Sequence, residues 1–216
     1  MDKLKQEIIL FDLDGTLTDS MEGVIRSVQY MQEKMGMRVW EFDELRFIVG
    51  PPLIESFTKE LAMELPKAEK AVEVFRERYT TVGLFENKVF PGVMEMLEEL
   101  KKKGKRMAVA TSKKEDQAVR ILEHFGIAPY LEVIGGDARE IGRDTKAKVI
   151  EYVLETMGAT KDDVIMVGDR KFDIIGAHAL GLPCIAVEWG YGDREEFEAH
   201  DADIIAATTE DVANLF

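Results

Sequence analysis

The sequence predicts an α/β fold, a doubly wound parallel-sheet core interrupted by one helical insertion. Three observations lead there. Five short apolar runs are continuous rather than alternating: Ile8 to Leu13, Arg106 to Thr111, Leu131 to Gly135, Val164 to Gly168 and Cys184 to Val187. Strands buried on both faces of a parallel sheet read this way. Helical patterns lie between the later runs, and alternation of strand with helix is the mark of a doubly wound domain. From about Ser20 to Glu86 the periodicity is helical, with no convincing strand run.

Taken in order, the first run, Ile8 to Leu13, leads directly into the insertion. That segment is read as helices over Val24 to Met35, Phe42 to Ile48, Ile54 to Leu65 and Ala68 to Val82. After it, Val93 to Lys103 places apolar residues at 93, 94, 96, 97 and 100 and stops at Gly104, as a glycine C-cap predicts. Lys114 to Phe125 stops at Gly126, Thr145 to Met157 at Gly158, and Ile174 to Leu180 at Gly181. The expected division is a Rossmann-like core of residues 1–18 and 87–216, with a helical cap domain of residues 19–86 over the end of the first strand. There is no internal repeat.

The 216 residues carry a formal net charge of −14, which argues against nucleic acid and anionic membrane surfaces as partners. An enzyme of this charge acting on an anionic substrate must supply positive charge locally, from a metal ion, a few lysines or backbone N–H groups. The single cysteine, Cys184, excludes an intramolecular disulfide and is read as strand filler. No signal-peptide pattern and no membrane-length apolar stretch occur, so the expected location is cytoplasmic. Oligomeric state is not readable.

The first strand runs into Phe11-Asp12-Leu13-Asp14-Gly15-Thr16. Side chains two apart on a strand point the same way, so Asp12 and Asp14 are expected together at its carboxyl end, where parallel sheets bind ligands. Gly15 permits a sharp turn there. A second acidic pair, Asp169 and Asp173, follows the strand Val164 to Gly168. Four carboxylates at one place need a hard cation, and Mg²⁺ matches an all-oxygen set. Thr111 and Ser112 follow the strand Met107-Ala108-Val109-Ala110, before a helix, where hydroxyls and free N–H groups hold phosphate. Lys146 begins the helix ahead of the fourth strand and offers a fixed cation. Nucleophile, metal, hydroxyl and cation together make a phosphoryl-transfer site.

In this series the chain resembles the haloacid dehalogenase-like hydrolase superfamily, specifically its phosphatases, over essentially its whole length. Asp12, Asp14, Gly15 and Thr16 meet the first family motif, Thr111 the second, Lys146 the third, and Gly168-Asp169 with Asp173 the fourth. The resemblance implies that Asp12 attacks phosphorus and forms an aspartyl phosphate. It implies that Asp14 protonates the leaving alcohol and then deprotonates water, while Thr111 and Lys146 hold the transferring oxygens. Asp12, the Asp14 carbonyl and Asp169 would bind Mg²⁺, with Asp173 as ligand or support. The third motif departs from many relatives, because Ala147 rather than proline follows the lysine; this leaves Lys148 as the alternative to Lys146.

Each residue also has a plain structural reading. Thr111 alone would be a helix cap, Lys146 a solvated helix residue, and Asp173 a cap of its own helix. In the insertion, Arg46 to Leu53 contains Gly50-Pro51-Pro52, first of all a turn, with Pro52 placed to start the next helix. It also resembles the specificity loop of phosphoglycolate-phosphatase-like and 5′-nucleotidase-like relatives, which would put Arg46 or the loop backbone, Gly50 included, on the substrate. Trp189-Gly190-Tyr191-Gly192 is read as a loop with two aromatic anchors. His124, His178 and His200 show no ligand spacing.

The expected activity is therefore a Mg²⁺-dependent phosphatase of a small phosphorylated metabolite, phosphoglycolate-phosphatase-like, with 5′-nucleotidase or sugar-phosphate phosphatase as alternatives. A dehalogenase would not need Asp14. A phosphonate hydrolase would need an imine-forming lysine such as Lys34 or Lys59. A phosphosugar mutase shares the aspartyl-phosphate step, and a non-catalytic binding domain would have lost one of the key residues.

Overall fold

The computed structural model describes residues 3–51 and 53–216; Pro52, expected to open a helix, lies outside the described residues. The chain divides into two units, Met1–Thr18 with Val89–Phe216, and Asp19–Lys88.

The first unit is built on a six-stranded parallel sheet. In chain order its strands are β1 (Ile8–Phe11), β4 (Arg106–Lys114), β5 (Val133–Asp137), β6 (Val164–Gly168), β7 (Cys184–Val187) and β8 (Ile204–Ala206). The short β2 (Thr18–Asp19) and β3 (Lys88–Val89) pair with each other where the chain leaves and re-enters the unit. Spatially the order is β5-β4-β1-β6-β7-β8. β1 thus lies between β4 and β6, with Phe11 opposite both Val109 and Val167. Its helices are α4 (Val93–Lys102), α5 (Glu115–His124), α6 (Lys146–Met157), α7 (Lys171–His178), α8 (Arg194–Ala199) and α9 (Thr209–Asn214).

All four residues of β1, β6's five and β7's four are buried, which explains the absence of alternation in their sequences. Leu10, Ala108, Ala110, Met166 and Cys184 pack with Val149, Ile150 and Val153 of α6 and with Ile174 and Ala177 of α7. Burying each large aliphatic side chain contributes roughly 1.5–3 kcal/mol. Thr145 caps α6 by accepting the Lys148 N–H at 3.3 Å, and Gly158, at φ +61°, ends it.

The second unit is helical: α1 (Met21–Lys34), a 3-10 turn at Asp43–Ile48, α2 (Leu53–Lys59) and α3 (Leu65–Arg78) continuing into a π-turn at Tyr79–Gly83. α1 packs on α3. Phe75 stacks on Tyr79 at 5.0 Å, and Arg78 holds Glu86 through two bonds of 2.6 and 2.7 Å.

Several boundaries differ from the sequence expectation. The helix expected over 54–65 stops at Lys59, and Ala62 takes a left-handed φ of +50° before α3 begins at Leu65. A 3-10 turn at Ala128–Tyr130 delays β5, which starts at Val133 rather than Leu131. β4 continues past Thr111 to Lys114, where an irregularity in register lets Lys114 pair with Asp137; Thr111 and Ser112 therefore lie in a strand, not in the turn before a helix. The sixth strand, β8, and helices α8 and α9 follow the last strand that was expected.

Candidate active site

The candidate site lies in the first unit, at the carboxyl ends of β1, β4 and β6. Asp12 directly follows β1, and its N–H donates to the Val167 carbonyl at 2.9 Å, extending the ladder one residue beyond the strand. Gly15 then turns the chain at φ +84°. A Cβ at Gly15 would lie 2.0 Å from Asp169 Oδ2, so only glycine admits both the turn and the neighbouring carboxylate.

Asp169 directly follows β6 and is fully buried. It accepts the Thr16 hydroxyl at 3.2 Å and the Tyr191 N–H at 2.8 Å. Trp189 braces the same corner, its indole N–H donating to the Thr16 carbonyl at 2.9 Å. Asp173 sits in the first turn of α7 and accepts the Arg170 N–H at 3.1 Å. It caps its helix with one oxygen and faces Lys146 with the other, so the structural role does not displace the chemical one.

Lys146 opens α6 and is almost wholly buried, with 5% of its side chain exposed. Its ammonium lies 2.9 Å from Asp12 Oδ1 and 2.7 Å from Asp173 Oδ1, and donates to the Ala110 carbonyl at 2.9 Å. Burial opposes this charge, but Asp12 and Asp173 outweigh it and hold the lysine protonated well above its ordinary value. Lys148 instead points to solvent and pairs with Asp144, also exposed, at 2.8 Å.

Asp12, Asp169 and Asp173 bring carboxylate oxygens within 4.8 Å of one another. Burial, followed by the charges of Asp173 and Asp12, pushes Asp169 well above the usual carboxylate range. Burial likewise raises Asp173 to about 6, although Lys146 pulls the other way. Fully ionised, three carboxylates against one ammonium would leave two negative charges uncompensated, and Asp169 and Asp173 accordingly hold their protons more tightly than usual. An oxygen-only site of that charge fits a divalent hard cation such as Mg²⁺.

Asp14 does not join this group. Four carboxylates were expected to converge, but beyond the β1 ladder the Gly15 turn ends the strand alternation. Asp14 Oδ2 pairs with Lys113 at 2.8 Å instead. Thr111 is buried, Ser112 exposed. Of the loop residues expected at the substrate, Arg46 belongs to the second unit, exposed and paired with Asp43 at 2.9 Å; Gly50, at φ +108°, makes an exposed turn in the same unit. Cys184 is buried in the sheet, as expected of strand filler. His178 contacts Asp203 at 2.9 Å.

Sequence reasoning missed Lys113, the Tyr191 backbone donor and Glu196. Glu196 of α8 receives Arg170 and the Lys171 N–H at 2.9 and 2.8 Å and so fixes the start of α7. Only Lys113 had a signal: it lies two residues beyond Thr111, the spacing that puts side chains on one face of a strand.

Residues 9–187 match the family of haloacid dehalogenase-like hydrolases. The chain is 38% identical over 197 residues to a 5′-nucleotidase of Pseudomonas aeruginosa, covering 91% of this chain and 89% of that protein. It is also 38% identical over 209 residues to the tyrosine-protein kinase PtkA of Mycobacterium tuberculosis, covering 95% of this chain and 71% of that protein. A phosphoglycolate phosphatase of Vibrio parahaemolyticus is 29% identical over 93% of this chain and 91% of its own. Among solved structures, a predicted phosphatase from Clostridium acetobutylicum superposes with a TM-score of 0.90 at 39% identity, covering 98% of both chains. With its six-stranded parallel sheet, its family match over residues 9–187 and its relatives at 38% identity, the chain belongs to the haloacid dehalogenase-like hydrolases.

Proposed function

We propose that this protein is a Mg²⁺-dependent phosphatase of small phosphomonoesters that works through a phosphoryl group on Asp12. The observation that carries the proposal is the strand-end carboxylate of Asp12, paired with a buried lysine at 2.9 Å and grouped with Asp169 and Asp173. A carboxylate attacks an anionic phosphate only where charge is offset. Asp12, Asp169 and Asp173, with the Asp14 carbonyl, would hold Mg²⁺, which supplies positive charge against the phosphate oxygens.

In the first half-reaction an Asp12 oxygen bonds to phosphorus, the phosphorus–oxygen bond to the alcohol breaks, and Asp14 gives its proton to the departing oxygen. In the second, Asp14 takes a proton from water, whose oxygen bonds to phosphorus as the Asp12 ester bond breaks. Inorganic phosphate leaves with both residues restored. One group can serve both halves because the first leaves it in the state the second requires. Lys146 and the Thr111 hydroxyl would hold the transferring oxygens.

The substrate class is a small phosphorylated metabolite, with phosphoglycolate and nucleoside 5′-monophosphates first because relatives bear those names, and sugar phosphates after them. The test is phosphate release from a panel of these esters, with Mg²⁺ or with EDTA, by wild type and Asp12→Asn. Release that needs Mg²⁺ and vanishes in the variant is expected, and the ranking of esters identifies the substrate. Release that survives both EDTA and Asp12→Asn overturns the proposal.

A further inference from the structure

Lys113 is a buried cation that the phosphatase reading leaves unused. Its side chain is 8% exposed, and its ammonium lies 2.8 Å from Asp14 Oδ2. The backbone N–H of the same residue donates to Thr111 Oγ1 at 3.2 Å. One residue therefore contacts two of the groups assigned to the reaction, one through its side chain and the other through its main chain. The extension of β4 to Lys114, through an irregularity in register after Ala110, carries Lys113 to this position.

The two contacts have different chemical consequences. A lysine ammonium has three donors and no acceptor, so the Asp14 oxygen facing it must be an acceptor. When Asp14 carries a proton, the proton is therefore on Oδ1. That oxygen is buried and has no hydrogen-bond partner among the described residues, so its hydrogen-bonding capacity is the one left unused. At Thr111, the hydroxyl oxygen is occupied as an acceptor from Lys113, which directs its hydrogen elsewhere, toward a bound anion.

Resting on the phosphatase reading and going beyond it, we propose that Lys113 is a positioning residue. It fixes the Asp14 carboxylate by one oxygen so that the other performs the proton transfers, and it orients the Thr111 hydroxyl as a donor. It acts through those two groups. Its loss should therefore weigh most on esters whose departing oxygen needs a proton. An alkoxide needs one; p-nitrophenolate leaves with little help.

The test is single-turnover ester cleavage in Mg²⁺, comparing p-nitrophenyl phosphate with an alkyl phosphate such as phosphoglycolate, for wild type, Lys113→Met and Lys113→Arg. General acid catalysis is worth roughly 10²–10⁴-fold, so Lys113→Met should slow alkyl-ester cleavage at least about tenfold more than aryl-ester cleavage. KM for the aryl ester should stay near that of wild type, and Lys113→Arg should restore most of the alkyl rate. Because Lys113 is buried, Lys113→Gln, which keeps a polar end, provides the same comparison should the methionine variant not fold. Equal loss on both esters, or no loss, overturns the positioning role while the phosphatase stands. A wild type that cleaves neither ester overturns both.

Discussion

Replacing Lys146 by alanine removes the one cation inside the carboxylate group. Two buried carboxylate oxygens, on Asp12 and Asp173, lose a partner at 2.9 and 2.7 Å, and the Ala110 carbonyl loses a donor at 2.9 Å. Breaking a buried pair by deleting one member costs about 3–5 kcal/mol, and an orphaned carbonyl about 1–3 kcal/mol more. Part of this is recovered, because Asp173 already holds its proton up to about pH 6 and without the lysine will keep it to higher pH. The expected net loss is about 3 kcal/mol for the metal-free protein. Mg²⁺ should narrow it by neutralising the same carboxylates. Turnover should fall by about 10²–10³ or more, the cost of removing one preorganised electrostatic partner of the reacting group. Lys148→Ala is the matched control. Its pair with Asp144 is about half exposed on both sides, at 51% and 47%, and such pairs contribute about 0–1 kcal/mol. The assay is thermal unfolding with and without Mg²⁺, beside steady-state phosphate release. Lys148→Ala losing as much as Lys146→Ala, or Lys146→Ala changing stability by under about 1 kcal/mol and rate by under about tenfold, would refute the assignment of the buried cation.

Gly190→Ala would put a Cβ 2.3 Å from the Asp169 Cβ and 2.4 Å from the Gly15 carbonyl oxygen. Relieving the first contact shifts Asp169, a proposed ligand, so Mg²⁺ affinity by calorimetric titration should drop at least about tenfold; an unchanged affinity would separate Asp169 from the metal. Trp189→Phe deletes the bond to the Thr16 carbonyl and should lower stability by about 1 kcal/mol with KM unaltered, whereas a large rise in KM would make Trp189 a substrate contact. The raised carboxylates set a pH dependence. Folding favours the protonated forms of Asp169 and Asp173, so this contribution to metal-free stability is present at acid pH and is lost as pH rises through about 6 for Asp173. A cation must displace those protons. Apparent Mg²⁺ affinity should therefore climb as pH rises through about 6; affinity independent of pH between 5 and 7 would contradict it.

The alternation of buried strands and helices was legible because a parallel sheet leaves no solvent face, so β1, β6 and β7 write themselves as unbroken apolar runs. β8 escaped because Ile204–Ala206 is three residues long and only partly buried. The strand-ending aspartates were legible for a similar reason: a polar residue at the end of an apolar run is conspicuous. Where their side chains went was less so. Period-two reasoning holds only while the strand lasts. β1 ends at Phe11, and by Asp14 the chain is already entering the Gly15 turn, which parts Asp14 from Asp12. The reverse error hid Lys113. The strand was taken to end at Thr111, whereas it continues to Lys114 through an irregularity in register. Tyr191 could not be found from its side chain at all, since it is the backbone N–H that holds Asp169.

The chain's net charge of −14 opposes the approach of a phosphate ester until the charges are placed. The two aspartates of the first motif are paired with different buried lysines, Asp12 at 2.9 Å with Lys146, which it shares with Asp173, and Asp14 at 2.8 Å with Lys113. The lysines come from different elements, α6 and β4. The two groups are therefore held by separate supports, and a proton moving at Asp14 need not disturb the ion pair at Asp12. The remaining excess of negative charge is confined to Asp169 and Asp173, whose burial makes their ionisation costly until a divalent cation arrives. On the proposed reading, acidity at this site would act as a selective device, because the bare protein would repel phosphate there and the cation that lifts the repulsion would also complete the chemistry. Phosphate binding should accordingly require Mg²⁺ even when no turnover is possible, so orthovanadate should bind wild type tightly in Mg²⁺ and weakly in EDTA.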